Sequence, residues 1–157
     1  MARYTLDDRG IVVRCDSCGQ HNRLPYAGLD RAVRCGRCKT ELSPPAEPID
    51  IASSEDFDRL VSQSALAVVV DYWAPWCGPC RAVAPELAKV AARNAGRYLV
   101  VKVNTDVLTD LGDRFAIRSI PTLAVFAGGR EVARTAGARP AADVERFIEN
   151  ATKTVVP

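Results

Sequence analysis

Apolar and polar positions follow two different periods after residue 48, and each period predicts a different kind of element. Ala67–Tyr72 is almost continuously apolar, which is typical of a strand buried on both faces. Shorter apolar or alternating runs predict further strands, and the Gly128-Gly129 pair predicts a hairpin between the last two; these strands are 49–51, 98–103, 123–126 and 131–135.

Helical spacing predicts four helices between these strands. Ser53 or Ser54 can cap the first helix, and Pro140 suits the first turn of the last. A short helix is expected near 109–115, and the apolar faces of the others are Phe57, Leu60 and Val61; Val83, Leu87, Val90 and Ala91; and Val144, Phe147 and Ile148. The alternating order predicts an α/β fold: a central mixed sheet flanked by helices on both faces.

Two cysteine pairs dominate the first 45 residues. Cys15 and Cys18 form one CxxC hook, Cys35 and Cys38 form another, and sixteen residues separate the hooks. Each hook follows a Val-Arg pair, so the second repeats the first twenty positions on. Two hooks at this spacing can complete a tetrahedron of thiolates around one structural Zn²⁺ ion, as in a zinc ribbon.

Other readings of these four cysteines are two structural disulfides or loose thiols in a disordered arm. His21 is a rival ligand by position, but four thiolates already complete the coordination, so we interpret it as a surface residue. A segment this small cannot bury enough apolar surface to fold alone, which also favours a metal.

A proline-rich stretch, Ser43–Pro48, separates the cysteine-rich segment from the alternating one. Three prolines in five positions stiffen the chain and disfavour helix. We therefore predict a zinc-binding module with its linker over residues 1–45 and a second domain over residues 46–157.

Overall charge and hydropathy indicate the cellular location of the protein and, with it, the role of its six cysteines. The net charge is +2, with +3 on residues 1–45, so neither nucleic acid nor a membrane is strongly attracted. The longest apolar run, Ala65–Val70, is far shorter than a membrane span, and the first fifteen residues lack the apolar region of a signal peptide. These features predict a cytoplasmic protein, in which metal binding and redox catalysis are favoured over structural disulfides.

The third cysteine pair, Cys77 and Cys80, lies where the buried strand turns into a helix. A helix N-terminus stabilises a thiolate on Cys77, and Cys80 lies on the same side one turn later. Position predicts that Cys77 is the exposed nucleophile and Cys80 the resolving thiol. A further metal hook would need more ligands, and residues 46–157 contain no other cysteine and no histidine.

The segment around this pair, Val70-Asp71-Tyr72-Trp73-Ala74-Pro75-Trp76-Cys77-Gly78-Pro79-Cys80, resembles the active-site signature of the thioredoxin family. The resemblance covers about residues 49–151 and includes Ile120-Pro121-Thr122, Gly128-Gly129 and Gly137. It implies a thioredoxin fold. With the cysteine-rich segment added, the whole chain is similar to the bacterial thioredoxin 2 type.

The resemblance also implies roles for residues outside the cysteine pair. Asp71 ends an apolar strand, so burial should raise its proton affinity; in the family the matching acid helps deprotonate the resolving cysteine, here Cys80. Lys102 resembles the lysine that tunes this acid, and Trp73 is expected to pack beneath the site. A cis Pro121 would present the Ile120 backbone to an extended substrate, and the expected substrate-binding rim is Trp76, Gly78, Pro79, Ile120, Pro121, Gly137 and Ala138.

The expected function is reduction of protein disulfides. The two residues between the cysteines carry no charge, whereas oxidising relatives tend to have a histidine there. The resemblance implies recycling by thioredoxin reductase, whose NADPH binds to that reductase, so no organic cofactor is expected here. The alternatives are a zinc-dependent partner-binding or holdase protein on a thioredoxin scaffold, and regulation of activity by oxidative loss of zinc.

Overall fold

The computed structural model describes residues 3–153, and its elements follow the predicted order. The cysteine-rich segment forms five short strands and one 3-10 helix, Tyr26–Gly28. The strands are β1 (Tyr4–Leu6), β2 (Gly10–Arg14), β3 (His21–Pro25), β4 (Val33–Arg34) and β5 (Glu41–Leu42). Strands β1, β2 and β3 form an antiparallel sheet, and β4 pairs with β5.

The rest of the described chain alternates strands and helices. The strands are β6 (Ile49–Asp50), β7 (Ala67–Trp73), β8 (Tyr98–Asn104), β9 (Thr122–Ala127) and β10 (Arg130–Ala136). The helices are α1 (Ser54–Gln63), α2 (Gly78–Arg93), α3 (Thr109–Arg114) and α4 (Ala141–Lys153). Ser53 caps α1, since its hydroxyl accepts a hydrogen bond from the Asp56 N–H at 3.2 Å.

These five strands form one mixed sheet in the order β10-β9-β7-β8-β6. Strand β7 lies at the centre, parallel to β8 and antiparallel to β9, and β10 returns from β9 as the predicted hairpin. The predicted crossover connection is confirmed, because α2 joins the parallel strands β7 and β8.

Alternate residues of β7 point into two apolar layers. Val68, Val70 and Tyr72 pack with Phe57 and Leu60 of α1 and with Leu111 of α3. Val69 packs on the opposite face with apolar residues of α2 and α4, including Val83 and Val144. The prediction of helices on both faces is therefore confirmed.

The cysteine-rich segment packs against the first of these layers. Tyr26 is 1% exposed and belongs to the same apolar cluster as Phe57 and Leu60. Its carbonyl oxygen accepts a hydrogen bond at 2.9 Å from the N–H of Ala65, two residues before β7, and its hydroxyl donates to the Asp7 carbonyl at 2.7 Å. This segment therefore contacts the start of the central strand, at the end opposite Trp73.

Within residues 3–153, no helix combines the length and hydropathy needed to cross a membrane.

We expect Tyr26→Ala to destabilise the whole described chain by about 3 kcal/mol. The reason is that the substitution leaves a cavity between the cysteine-rich first half, residues 3–45, and the α/β second half, residues 46–153. Both tryptophans, Trp73 and Trp76, lie in the second half, so their fluorescence during urea unfolding reports whether that half is affected. Tyr26→Phe is the matched control. It keeps the ring and the backbone bond to Ala65, and it should cost only about 1 kcal/mol for the lost hydroxyl bond. If the urea midpoint measured by tryptophan fluorescence is unchanged in Tyr26→Ala, the two halves unfold independently.

Candidate active site and metal centre

Cys77 and Cys80 form a disulfide at the start of α2. Cys77 is the N-cap residue of the helix, and its sulfur accepts the backbone N–H of Cys80 at 3.1 Å. A side-chain sulfur thus occupies the position at which a serine or aspartate oxygen caps other helices. Negative charge on Cys77 Sγ is favoured there by this N–H and by the helix dipole.

The exposure expected for Cys77 is not found in this disulfide form. Cys77 and Cys80 are each 3% exposed. Cys77 Sγ lies 3.7 Å from the Ile120 carbonyl oxygen of the facing loop. Burial therefore does not distinguish the two sulfurs, and the difference between them is the capping position of Cys77.

Asp71 lies on the face of the sheet that α2 covers, two residues beyond Val69. It is 1% exposed, and its Oδ1 atom has no hydrogen-bond partner within the described chain. Burial raises the pKa of Asp71 from 3.8 to about 7, and the positive charge of Lys102 opposes part of that rise. This carboxyl group can therefore exchange a proton near neutral pH.

Lys102 is the residue of β8 directly opposite Asp71 in the parallel pair. Its ammonium nitrogen lies 4.3 Å from the ring centroid of Trp73, a cation–π contact that holds the charge beside the carboxyl group. Trp73 is half-buried, as expected for a residue that packs beneath the site, and it also supports Lys102.

The wall facing the disulfide is formed by the loop before β9. The Ile120–Pro121 peptide bond is cis, the conformation that the resemblance implied. The Pro121 carbonyl accepts the N–H of Gly137 at 2.9 Å, which ties the end of β10 to this loop. The structure thus brings Ile120, Pro121 and Gly137 to the edge where Cys77 lies.

Several other residues of the expected rim are open to solvent. Trp76 is 67% exposed, and its indole N–H donates to the Asp106 carboxylate at 3.3 Å. Gly78, Pro79, Gly137 and Ala138 are exposed, whereas Ile120 is half-buried and Pro121 is buried. The residues of the expected rim are therefore mostly exposed and largely apolar.

The four remaining cysteines converge at a separate place. The sulfurs of Cys15, Cys18, Cys35 and Cys38 all lie within 4.8 Å of one another. The Cys15–Cys38 and Cys18–Cys35 sulfur pairs are 3.7 and 3.6 Å apart. A tetrahedral Zn²⁺ site with Zn–S bonds of about 2.3 Å places its sulfurs about 3.8 Å apart, so this arrangement is close enough to hold a metal ion.

The repeated sequence of the hooks produces a repeated backbone. Cys15 N–H donates to the Gln20 carbonyl, and Cys35 N–H donates to the Thr40 carbonyl, at 2.8 and 2.9 Å. The fourth residue after each hook's first cysteine has a positive φ: 81° at Gly19 and 65° at Lys39. This left-handed residue turns the chain so that both sulfurs of a hook face one centre.

Polar groups surround the sulfur cluster. The side-chain amide of Asn22 and the N–H of Arg37 donate to Cys35 Sγ, each at 3.4 Å, and the Thr40 hydroxyl lies 3.3 Å from Cys38 Sγ. Such donors stabilise metal-bound thiolates. His21, which was interpreted as a surface residue, is exposed and is not part of the cluster.

Three contacts of these sites were not foreseen from the sequence. They are the Lys102–Trp73 contact, the bond from Trp76 to Asp106 and the Asn22 bond to Cys35. The contact between Lys102 and Trp73 follows from strand register, since residues 71 and 102 pair and Trp73 is on the same face two residues later.

Residues 48–150 match the thioredoxin family model, so the chain belongs to the thioredoxin family. It is a protein-disulfide oxidoreductase with a redox-active disulfide, Cys77–Cys80. The fold found above is the thioredoxin fold.

Individual thioredoxins agree with this assignment. The chain is 38% identical over 140 residues to thioredoxin C-3 of Corynebacterium nephridii, covering 88% of this chain and 94% of that protein. It is 45% identical over 93 residues to thioredoxin 1 of a Nostoc species, covering 59% and 87%. Among solved structures, a mutant thioredoxin from Halobacterium salinarum superposes with a TM-score of 0.65 at 28% identity, covering 74% of this chain and 99% of that one.

We expect the stability of the disulfide form to depend on pH through Asp71. Its pKa of about 7 in the folded chain exceeds its ordinary value of 3.8, so the folded state binds this proton more tightly than the unfolded state. Stability is therefore highest below about pH 4 and falls by a few kcal/mol as the pH rises to about 7, at about 1.4 kcal/mol per pKa unit. Urea unfolding at several pH values measures this slope.

Asp71→Asn should remove that pH dependence. Asp50→Asn, which changes an exposed carboxylate on the edge strand β6, is the control and should retain it. Equal slopes in the native protein and in Asp71→Asn would contradict the assignment.

Proposed function

We propose that this chain reduces protein disulfides, with Cys77 as the nucleophile and Cys80 as the resolving thiol. The observation that carries the proposal is the position of Cys77 as the N-cap of α2, with the Cys80 N–H donated to its sulfur. This geometry favours thiolate on Cys77, and the thiolate is the species that attacks a disulfide.

The reaction proceeds by two exchanges. The Cys77 thiolate attacks one sulfur of a substrate disulfide, so a mixed disulfide forms and the other substrate sulfur leaves as a thiolate. Cys80, deprotonated, then attacks Cys77 Sγ and releases the second substrate thiolate. The substrate gains two electrons, and the Cys77–Cys80 disulfide is the oxidised product.

Asp71 is proposed to accept the Cys80 proton in the second exchange. The carboxylate lies on the sheet face that α2 covers, and its raised pKa matches this transfer near neutral pH. Lys102, held against Trp73, limits that rise and so keeps part of the carboxyl group ionised. The substrate segment would lie along Trp76, Gly78 and Pro79 on one side, and along Ile120, Pro121, Gly137 and Ala138 on the other.

The direction of electron flow is proposed from the residues between the cysteines. Gly78 and Pro79 supply no positive charge to stabilise the reduced form, which favours a reducing protein over an oxidising one. An external thioredoxin reductase would restore the dithiol, since the family works with such a partner.

The N-terminal cysteines are proposed to hold one structural Zn²⁺ ion in a module over residues 1–45, with the catalytic domain over residues 46–157. The sulfur spacing and the donors around Cys35 support zinc. The similarity to thioredoxin C-3 leaves about 19 of 157 residues uncovered, so it extends into this segment, which supports the bacterial thioredoxin 2 type. A cytoplasmic location is proposed because reduced thiolates are needed at both sites.

We expect Cys80→Ser to accumulate a mixed disulfide between Cys77 and a substrate protein such as insulin, because the resolving sulfur is absent. Intact-mass measurement should find close to one substrate chain per protein molecule, lost on adding dithiothreitol. Cys77→Ser should form no such adduct and should have no activity in reductase-coupled insulin reduction. Adduct formation by Cys77→Ser at native rates would reverse the two assignments.

We also expect one Zn²⁺ per chain by metal analysis, with four thiols of the reduced protein protected and two reactive. Cys35→Ser should lose the metal and unfold at a lower temperature, since structural zinc contributes directly to folding. Ser17→Ala changes an exposed residue within the first hook and should keep full metal content. Six reactive thiols in the native protein would argue against the site.

A further inference from the structure

The surface around the redox disulfide carries an excess of positive charge. The rim, extended to the four segments that carry or contact the substrate-binding residues named above, spans 74–81, 104–106, 117–122 and 136–140. Its charged residues are Arg81, Asp106, Arg118 and Arg139. Three are cations and one is an anion, whereas the chain as a whole has a net charge of only +2. All four residues are exposed, so their charges are accessible from solvent.

The single anion of the rim is already engaged. Asp106 accepts the indole N–H of Trp76 at 3.3 Å, which directs its carboxylate toward that ring. Across residues 3–153, no carboxylate lies within 4.0 Å of the guanidinium groups of Arg81, Arg118 or Arg139. Elsewhere in the described chain some arginines are paired, such as Arg93 with Glu145 and Arg114 with Asp58, and others, such as Arg130, are not.

Each rim arginine is fixed near the disulfide by the backbone. Arg81 follows Cys80 and donates through Nε and Nη2 to the Pro75 carbonyl, at 3.2 and 2.9 Å. Arg118 lies two residues before Ile120, whose carbonyl oxygen is 3.7 Å from Cys77 Sγ. Arg139 lies two residues after Gly137, which is hydrogen-bonded to Pro121. The three cations therefore come from three segments that meet at one disulfide.

We propose that this rim selects disulfides whose neighbouring residues are acidic, through the guanidinium groups of Arg81, Arg118 and Arg139, which form no ion pair within the described chain. The inference rests on the proposed reductase function and names the class of substrate for the same site. A substrate segment laid against Ile120 brings the residues beside its cysteine close to these side chains. Glutamate or aspartate at those positions gains charge pairs, whereas lysine is repelled.

Cystine peptides that are identical except for the residues flanking the cysteine test this. Glu, Gln and Lys versions are reduced by the prereduced protein, and each rate constant is divided by the rate with dithiothreitol, which corrects for the intrinsic reactivity of each disulfide. At low salt we expect the Glu peptide to be preferred over the Lys peptide by about fivefold to tenfold, since exposed charge pairs are individually weak. The preference should shrink at about 0.5 M salt.

The Arg118→Gln/Arg139→Gln double variant should lower the Glu-over-Lys ratio to about twofold or less. The matched control is Arg31→Gln/Arg130→Gln, which removes the same charge from two other exposed arginines that form no ion pair within residues 3–153. Arg130 pairs with Ala127 at the far end of β9, about 17 Å from Thr122 at strand spacing. Arg31 lines a cavity with Gly96, two residues before β8, at the end of the sheet opposite Cys77, so the control should keep the native ratio.

The outcomes separate this inference from the proposed function. A native ratio of one or less, or the same ratio in the Arg118→Gln/Arg139→Gln variant, overturns the inference while the reductase stands. Failure of the native protein to reduce even the Gln peptide overturns the proposed function instead. A high ratio that the variant and salt both reduce supports the acidic substrate class.

Discussion

Burial of the central strand β7 on both faces is the constraint on which the rest of this molecule depends. Its alternate residues anchor two apolar layers, and its position between β8 and β9 excludes water along its length. That same burial makes Asp71 a weak acid with a pKa of about 7 and places the turn to Cys77 at the strand's end. The same strand therefore forms the core and carries the buried carboxyl group of Asp71.

The fold could be predicted closely because local pattern and tertiary environment agree. A continuous apolar run at residues 67–72, an apolar–polar period of 3.6 in the helices and a Gly-Gly hairpin each had one good interpretation. The convergence of the four hook cysteines could also be predicted, because two hooks at this spacing are typical of sites in which four sulfurs face one centre. Even the matched backbone of the two hooks follows from their repeated sequence.

The remaining features depend on register and on long-range packing, which no local pattern encodes. Cys77 Sγ lies 3.7 Å from the Ile120 carbonyl oxygen, forty-three positions along the chain, and this contact has no signal in the local sequence. The contact of Lys102 with Trp73 requires knowing which residues of β7 and β8 lie opposite each other. The attachment of Tyr26 to the start of β7 could not be inferred either, because a proline-rich linker permits many relative positions of the two halves.

Tyr26 attaches the cysteine-rich segment at one end of the central strand, and the redox disulfide lies at the other. The Tyr26 carbonyl oxygen contacts the N–H of Ala65, whereas Cys77 lies past Trp73, so the seven residues of β7, about 20 Å at strand spacing, separate this attachment from the disulfide. Trp76, beside the disulfide, is 67% exposed. A substrate protein that docks at that end therefore does not need to displace the Tyr26 contact.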